Sequence, residues 1–210
     1  LLQLHKSNGG IGTLGLWEVN DPTRFGIVGI DDNSKITRFM EKPKPEEVFS
    51  NLINAGSYIF EDDIFEYIPK RRNSIEREVF PLLAEEELLN GQKFDGFFID
   101  SGTRSSWCDA VRTCIANDRF SKGAISGNSW FAKPQGKVEQ GSIITDSMVG
   151  SGIEIMNSKI VNSTLLSGSR ISRNVSIESS LIGENVTIGE NSKITNMIVD
   201  HGSIIPDNTI

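Results

Sequence analysis

The chain has 210 residues, of which 37% are hydrophobic, and its formal net charge is -7. This length and composition are typical of one or two folded domains. The acidic balance argues against a nucleic-acid-binding module, because such modules gather basic residues on one face. No apolar run approaches the roughly 18 residues of a membrane span, and no signal-peptide pattern opens the chain, so we expect no membrane association and a cytoplasmic location.

The first half of the chain alternates strand-like and helix-like patterns. Strands are predicted at 13–19, 25–30, 35–40, 57–60 and 94–99, with a turn at 31–34. Helices are predicted at 62–68, from 73–76 onward with an interruption at Pro81, and from Ser105 or Ser106 to about Phe120. Alternation of this kind indicates an α/β domain.

From residue 138 onward the pattern changes, since aliphatic residues recur every five or six positions with Gly, Ser, Asn and Asp between them. This period suits neither a helix nor a plain strand, and it predicts a solenoid whose short strands each point one aliphatic side chain inward. The predicted inward positions are Val138, Ile144, Val149, Ile155, Ile160, Leu166, Ile171, Ile177, Ile182, Ile188, Ile194, Val199 and Ile205.

Three such strands make a coil of about 17 residues, which gives roughly four coils of a hexapeptide-repeat β-helix. A β-sandwich is the competing interpretation, but it would need longer strands and turns about every 8 to 12 residues. Residues 121–137, rich in Gly, Ser and Lys, are predicted to be a linker. The predicted organisation is therefore an α/β region at 1–120, the linker, and a β-helix at 138–210.

Histidine and cysteine chemistry finds little support in the sequence. His5 and His201 are far apart, so no Ser-His-Asp or metal-ligand cluster can be assembled from them. A hexapeptide acyltransferase generally uses a coil histidine as base, and His201 alone, in the last coil, argues against that function. Cys108 and Cys114 fit neither a zinc motif nor a disulfide framework and are interpreted as small buried hydrophobes.

Carboxylates, a lysine and an amide are better candidates for a binding site. Asp100 follows the predicted strand at 94–99, and an aspartate there can hold Mg²⁺, although a turn or helix cap is the simpler interpretation of that stretch. Lys42 can bind a phosphate, and Glu41 can accept hydrogen bonds from sugar hydroxyls, although the pair also fits a solvated loop. Pro43 should hold Lys42 in extended geometry and end the strand.

The order of several short motifs carries a family resemblance. These motifs are DPTRFGIV at 21–28, FMEKP at 39–43, NAGSYIF at 54–60, SIEREVFP at 74–81 and FFIDSGT at 97–103, followed by the β-helix. Together they resemble the later two-thirds of the sugar-nucleotide pyrophosphorylases, with the mannose-1-phosphate guanylyltransferase group nearest. The resemblance implies a partial nucleotide-diphospho-sugar transferase domain followed by a left-handed parallel β-helix.

The same resemblance implies a reaction and a set of roles. The reaction converts an NTP and a sugar 1-phosphate to an NDP-sugar and pyrophosphate, most simply GTP and mannose 1-phosphate to GDP-mannose. The implied sugar-binding residues are Gly26, Glu41 and Asn54, with Ala55 and Gly56 beside the amide. Lys42 is implied to contact the sugar phosphate, and Asp100 to be a metal-binding aspartate for Mg²⁺; these two are the catalytic candidates.

Some family features are missing from these residues. The glycine-rich nucleotide loop with Arg and Lys and a first metal-binding aspartate are not found, so we expect this chain alone to have little turnover. Arg104 also replaces a proline that is common after the Gly-Thr pair. Two alternatives stay open: a glucose-1-phosphate thymidylyl- or uridylyltransferase, and a non-catalytic regulatory or oligomerisation subunit. The β-helix is expected to form homo-oligomers, because open coil ends expose strand edges.

Overall fold

A computed structural model describes all 210 residues, Leu1–Ile210, and divides them into two compact units. The first unit is Leu1–Phe98 and the second is Ile99–Ile210. None of the helices has the length and apolar character that crossing a bilayer needs. The division between the units falls well before residue 120, where the sequence predicts the end of the α/β region.

The first unit is built on a five-stranded mixed sheet in the order β3-β2-β4-β1-β5. Only β1 and β5 run parallel, whereas the other neighbours are antiparallel. The strands are β1 (Gly12–Glu18), β2 (Gly26–Ile30), β3 (Ile36–Glu41), β4 (Leu52–Phe60) and β5 (Leu89–Lys93). The helices are α1 (Leu2–Asn8), α2 (Ile64–Tyr67) and α3 (Phe80–Glu85), with a 3-10 turn at Pro45–Glu47 and a π-helical turn at Ile75–Val79.

The core of this unit forms where the sheet meets α3. Phe80 and Leu83 of α3 are fully buried, and Phe80 packs edge-on against Phe39 of β3 with their ring centroids 5.2 Å apart. Pro81 lies in the first turn of α3, where its missing N–H costs nothing, so it begins this helix instead of interrupting it. The π-helical turn immediately before α3 contacts β3.

The predicted strand at 94–99 is wrong, because the strand lies just before it in β5. Gly91 of β5 has no room for a Cβ, which would lie 2.4 Å from Leu16 Cδ1, so a glycine there permits close pairing with β1. Residues 94–103 are irregular, and Gly96 takes a φ of 118°. The apolar pattern of that stretch has another cause: Phe94 and Phe98 both pack against the ring of Trp17.

The second unit begins with a helix and a hairpin. The helix is α4 (Arg104–Ala116), capped by Thr103 and not by Ser105 or Ser106. The hairpin joins β6 (Gly123–Ser126) to β7 (Ser129–Ala132) through Gly127 and Asn128, and β7 pairs with a solenoid strand. Residues 121–137, predicted as a linker, therefore hold a hairpin, since their Gly-Asn pair is a two-residue turn signal between strand-forming residues.

Short parallel strands stack in three sheets to form the solenoid, which completes about four turns. The first sheet adds β10 (Met148–Val149), β13 (Thr164–Leu165), β16 (Leu181–Ile182) and β19 (Ile198–Val199) to the hairpin. The second holds β8 (Lys137–Val138), β11 (Glu154–Ile155), β14 (Arg170–Ile171), β17 (Thr187–Ile188) and β20 (Ile204–Ile205). The third holds β9 (Ile143–Thr145), β12 (Lys159–Val161), β15 (Ser176–Glu178) and β18 (Lys193–Thr195).

The aliphatic ladder predicted from the sequence forms the solenoid core, and the coil length of 17 residues is confirmed. Ile160 pairs with Ile177, and Ile177 with Ile194, at that interval, whereas Ile144 pairs with Ile160 one residue sooner. One predicted position is wrong: Leu165, not Leu166, pairs with Ile182 and is fully buried. Two leucines are adjacent there, at five and six residues after Ile160, so the predicted spacing does not distinguish them.

Buried serine hydroxyls join successive coils inside the solenoid. Ser163 Oγ donates to the carbonyl of Val161 in its own coil at 2.7 Å and accepts from the backbone N–H of Ser180 in the next coil at 3.1 Å. Ser147 and Ser180 repeat the arrangement one coil before and one coil after. These small residues are therefore internal connectors as well as turn formers, because each hydroxyl satisfies two buried backbone groups.

The adjacent leucines allow a direct test of the core register. Replacing Leu165 by alanine should lower the free energy of unfolding by about 2–5 kcal/mol, because it leaves a cavity in a packed core. Leu166→Ala is the matched control and should cost much less, since Leu166 is only half-buried. Urea denaturation followed by circular dichroism measures both. Equal losses in the two variants would contradict the register described above.

Candidate functional site

Glu41 and Lys42 lie together at the end of β3. Glu41 is the last residue of the strand and is paired with Gly26 on β2. Its carboxylate Oε1 lies 3.7 Å from Lys42 Nζ. The Glu41 side chain is only 15% exposed, whereas that of Lys42 is 59% exposed. The pair therefore presents a largely buried acceptor beside a cation that reaches into solvent.

The backbone at Lys42 explains how neighbouring residues reach one place. Lys42 takes a φ of 48°, so the predicted extended geometry is wrong. Its N–H donates to the carbonyl of Phe25 at 2.9 Å, which continues the pairing with the segment before β2, and the buried Pro43 follows. The left-handed turn cancels the strict alternation that would send the two side chains to opposite faces. Backbone strain of this kind costs about 1–3 kcal/mol and concentrates at functional sites.

Gly26 leaves the space that the Glu41 side chain occupies. A Cβ at Gly26 would lie 2.5 Å from Phe39 Cζ and 2.9 Å from Glu41 Oε2. Both distances are too short for a carbon atom, so a side chain here has to displace either the ring or the carboxylate. Gly26 therefore helps to fix the position of Glu41, and its contact with a sugar stays a prediction.

Asn54 organises a bulge in β4 beside this pair. The register of β4 against β1 shifts between Leu14 and Leu16, so three β4 residues, Ala55 to Ser57, bulge outward. Asn54 Oδ1 accepts from the N–H of Gly56 at 3.0 Å, and its Nδ2 donates to Tyr58 Oη at 2.8 Å. Gly56 has a φ of 74° and open space around it, which lets a ligand approach the backbone.

Three further side chains belong to this neighbourhood and were not assigned a role from the sequence. Tyr58 lies at the end of the Asn54 bulge. Glu76 and Arg77 come from the π-helical turn, and both interact electrostatically with Glu41. Glu76 and Arg77 lie in the motif SIEREVFP, but the π-helical turn that presents them has no recognisable sequence pattern. Turns of this type are frequent at functional sites.

The cluster offers hydrogen-bonding groups for hydroxyls and basic side chains for an anion. Burial, and secondarily Glu76, raises the pKa of Glu41, while Lys42 and Arg77 act in the opposite direction. Burial also raises the pKa of Tyr58, with smaller contributions from Glu76 and Glu41, against the hydrogen bond from Asn54. The site therefore combines carboxylate acceptors, an amide and a phenol with two basic side chains, as a polyhydroxylated anion requires.

Replacing Glu41 by glutamine should change how stability depends on pH. The folded state binds the Glu41 proton more tightly than the unfolded chain does, because the pKa of this carboxyl is raised above 4.5. Its contribution to stability is therefore fully present below that value and is lost as the pH rises through the folded pKa. In Glu41→Gln this loss should be absent, so the variant gains stability relative to the original chain as the pH rises.

Urea denaturation over a pH series from about 4 to about 8 measures this difference. Glu46→Gln is the control, because Glu46 is exposed on the adjacent 3-10 turn. If the free energy of unfolding depends on pH in the same way for Glu41→Gln and the original chain, a desolvated carboxylate at this position is contradicted.

Asp100 lies in the second unit and is exposed. It follows an irregular segment, so the predicted position at a strand end is wrong. Its Oδ1 accepts from the N–H of Gly102 at 3.2 Å, which leads into α4. No group of three or more His, Cys, Asp or Glu side chains forms a metal site anywhere in the chain. A single exposed carboxylate can hold Mg²⁺ only where phosphate oxygens and water supply the remaining ligands.

The two histidines have structural partners. His5 is buried, with Nδ1 2.9 Å from Thr13 Oγ1 and Nε2 3.0 Å from Glu61 Oε1. Thr13 is fully buried and out of reach of a substrate, so this arrangement is a structural contact and not a Ser-His-Asp site. His201 Nδ1 accepts from the N–H of Glu184 in the preceding coil at 2.9 Å. Neither histidine is placed as a general base.

Comparison with known families assigns the chain. The nucleotidyl transferase model matches residues 1–117, and a model described as GlmU-like, C-terminal hexapeptide, matches residues 132–210. The chain belongs to the nucleotidyl transferase family. This match confirms the family resemblance of the α/β region, and the matched residues include the Glu41–Lys42 pair and Asp100. The second match agrees with the solenoid.

Curated relatives of this nucleotidyl transferase chain carry one recurring name. Probable mannose-1-phosphate guanylyltransferase 1 of Oryza sativa subsp. japonica is 31% identical over 209 residues, which cover 95% of this chain and 57% of the relative. Mannose-1-phosphate guanylyltransferase 1 of Arabidopsis thaliana is 29% identical with the same coverage. The mannose-1-phosphate guanylyltransferase catalytic subunit beta of Drosophila pseudoobscura pseudoobscura is 41% identical over 102 residues, 49% of this chain and 27% of that protein. The chain thus spans little more than half the length of the first two relatives.

Proposed function

We propose that the first unit is the sugar 1-phosphate half-site of a nucleotidyltransferase that forms an NDP-sugar and pyrophosphate from an NTP and a sugar 1-phosphate. GDP-mannose from GTP and mannose 1-phosphate is the preferred reaction, supported by the names of the relatives. The observation that carries the proposal is the left-handed turn joining Glu41 to Lys42, which sets an acceptor and a cation 3.7 Å apart. A sugar phosphate has matching groups, namely hydroxyl donors next to an anionic phosphate.

Each predicted residue has a specific part in this proposal. Glu41 accepts hydrogen bonds from sugar hydroxyls, while Lys42 binds the phosphate as a compact cation. Asn54 contributes its amide, and the bulge at Ala55 and Gly56 admits the sugar ring close to the backbone. The chemistry asked of these groups is positioning and charge neutralisation for in-line attack of the sugar phosphate on the α-phosphorus.

Asp100 is proposed to supply one carboxylate to Mg²⁺. A bound Mg²⁺ neutralises charge on phosphate oxygens during phosphoryl and nucleotidyl transfer. Asp100 meets the requirement for such a ligand, since it is exposed and Mg²⁺ is usually bound through one or two carboxylates together with substrate phosphates.

Pyrophosphate release by the complete protein tests the function. GTP, dTTP, UTP and ATP are each paired with mannose 1-phosphate and with glucose 1-phosphate in the presence of Mg²⁺. The proposal expects the highest kcat/KM for GTP with mannose 1-phosphate, and residues 1–210 alone should release little pyrophosphate. A preference for dTTP or UTP with glucose 1-phosphate would favour the alternative transferases. No release with any pair would favour a non-catalytic subunit.

The solenoid is proposed to mediate homo-oligomer formation. Several of its apolar side chains lie exposed, among them Ile143, Met197, Ile198 and Ile204. Ile143, Ile198 and Ile204 belong to β9, β19 and β20, which are end strands of their sheets, and open strand edges promote pairing with another chain unless they are covered. Light scattering should therefore give more than one copy per particle for the chain and a smaller number after removal of the residues following Pro134. An unchanged monomer in both cases would refute an oligomerisation role.

A further inference from the structure

Helix α4 belongs to the family-matched region by sequence and to the solenoid unit by structure. Residues 1–117 match the nucleotidyl transferase family, so α4 and the preceding Asp100 are part of that sequence region. In the structure, however, residues from Ile99 onward are in the same compact unit as the solenoid. The segment that carries Asp100 is therefore held by the solenoid, and the contacts that hold it can be traced residue by residue.

Three side chains of α4 donate hydrogen bonds to the solenoid. Arg104 donates to the carbonyl of Ser179, and Arg112 donates to Asn162 Oδ1. Trp107 Nε1 donates to Thr164 Oγ1 at 3.1 Å. Arg104 and Trp107 are neighbours on the helix surface because they are three residues apart, whereas Arg112 lies five residues beyond Trp107 and makes its own contact further along the helix.

The acceptors on the solenoid are themselves ordered. Ser179 and Asn162 occupy equivalent corners of successive coils, with φ values of 48° for both. Asn162 Nδ2 donates to Ser179 Oγ at 3.0 Å, so the two acceptors are joined to each other. Thr164 is buried within the first solenoid sheet. Groups fixed in this way lose little further freedom when they bind α4, which favours a rigid attachment.

Apolar contacts support the rest of α4. Val111 and Ile115 are buried in a cluster with Trp130 of the hairpin, and Met148 of β10 packs against the same cluster. This cluster lies toward the carboxyl end of the helix. The amino end, where Asp100 is attached, depends instead on Arg104 and Trp107.

Asp100 is connected to that amino end by a short hydrogen-bonded path. Thr103 caps α4, accepting from the N–H of Ser106 at 3.2 Å, while Ser106 Oγ accepts from the N–H of Thr103 at 3.1 Å. Gly102 in turn donates to Asp100 at 3.2 Å. Only three residues therefore stand between Asp100 and Arg104 in the chain.

We propose that Arg104 and Trp107 are positioning residues through which the solenoid fixes the Asp100 carboxylate for the metal. This inference rests on the proposed function, in which Asp100 is a Mg²⁺ ligand. It also gives a reason for Arg104 at a position where the family often has proline, since a proline has no side-chain donor for the Ser179 carbonyl. The solenoid then acts on catalysis through the position of Asp100, as well as through any assembly it forms.

Hydrogen exchange and Mn²⁺ binding test the inference in the complete protein. Arg104→Met removes the guanidinium and keeps the aliphatic stem, and Thr164→Val removes the hydroxyl acceptor of Trp107. Each should speed amide exchange in residues 100–106 about fivefold. Each should also weaken Mn²⁺ binding, followed by electron paramagnetic resonance with saturating GDP-mannose, about tenfold. The KM for mannose 1-phosphate and the melting temperature should stay unchanged, and Arg104→Lys should partly restore Mn²⁺ affinity.

Two controls make the result decisive. Arg170→Met alters an exposed solenoid arginine that faces Glu154, and it should change neither exchange nor Mn²⁺ affinity. Asp100→Asn should itself weaken Mn²⁺ binding. If it does not, the metal role of Asp100 is wrong and the inference falls with it. If Asp100→Asn weakens Mn²⁺ binding while Arg104→Met and Thr164→Val change neither exchange nor affinity, the inference alone is overturned and the proposed function stands.

Discussion

Lys42→Ala is expected to weaken binding of mannose 1-phosphate by roughly 10- to 100-fold while leaving the fold intact. A hydrogen bond to a charged group contributes about 1.5–3 kcal/mol, and Lys42 Nζ is the exposed cation of the pair with Glu41. Stability should change little, because the side chain is 59% exposed and alanine also carries a Cβ at the left-handed backbone position.

Isothermal titration with mannose 1-phosphate measures the affinity, and thermal unfolding measures the stability. Lys44→Ala is the matched control, since it removes an exposed lysine two residues further along the same loop. An affinity equal to that of Lys44→Ala would return Lys42 to the interpretation as a solvated loop residue.

Gly26→Ala should be one of the most damaging small substitutions in the first unit. The added Cβ would lie 2.5 Å from Phe39 Cζ and 2.9 Å from Glu41 Oε2, so either the ring or the carboxylate has to move. Overpacking of a tight site costs about 1–3 kcal/mol of unfolding free energy. Displacement of Glu41 should also weaken mannose 1-phosphate binding.

Gly29→Ala on the same strand is the control for backbone entropy and strand propensity. Its Cβ would meet Phe49 Cε2 at 3.5 Å, which is an ordinary van der Waals contact. Urea denaturation and isothermal titration of both variants separate the two effects. If Gly26→Ala is no less stable than Gly29→Ala and binds mannose 1-phosphate as tightly as the original chain, the packing of Gly26 against Glu41 is wrong.

The solenoid could be predicted from sequence in unusual detail because its core repeats. A single inward side chain at fixed intervals determines sheet, coil length and register together, as Ile160, Ile177 and Ile194 illustrate. The prediction was wrong only where Leu165 and Leu166 stand adjacent, since each satisfies the period. The serine ladder of Ser147, Ser163 and Ser180 was not predicted, because the sequence does not distinguish a serine whose hydroxyl is buried from a serine that forms a turn.

The α/β region was predicted less accurately around β5. Leu89–Lys93 contains Asn, Gly and Gln, which are poor strand formers, and its strand depends on close approach to β1 at Gly91. The aromatic run at 94–99 looks more like a strand, yet it packs against Trp17 in irregular conformation. Tertiary packing here overrides the local propensity of both segments.

The sequence named some residues of the candidate site, among them Gly26, Glu41, Lys42 and Asn54, but not the geometry that places them. Glu41 and Lys42 were identified as a pair, although extended geometry would have sent them to opposite faces. The left-handed turn at Lys42 depends on a hydrogen bond to Phe25, which is distant in sequence. Glu76 and Arg77 were missed for a related reason, because a π-helical turn presents them and no local pattern predicts such a turn.

Binding of mannose 1-phosphate to residues 1–210 tests the central claim most directly. Isothermal titration should detect mannose 1-phosphate, and it should detect mannose or inorganic phosphate alone much more weakly, because each occupies only half of the groups around Glu41 and Lys42. The double variant Glu41→Gln with Lys42→Ala should lose this binding, while Glu46→Gln with Lys44→Ala should keep it. Equal binding of mannose 1-phosphate by the two double variants would contradict a sugar-phosphate site at this turn.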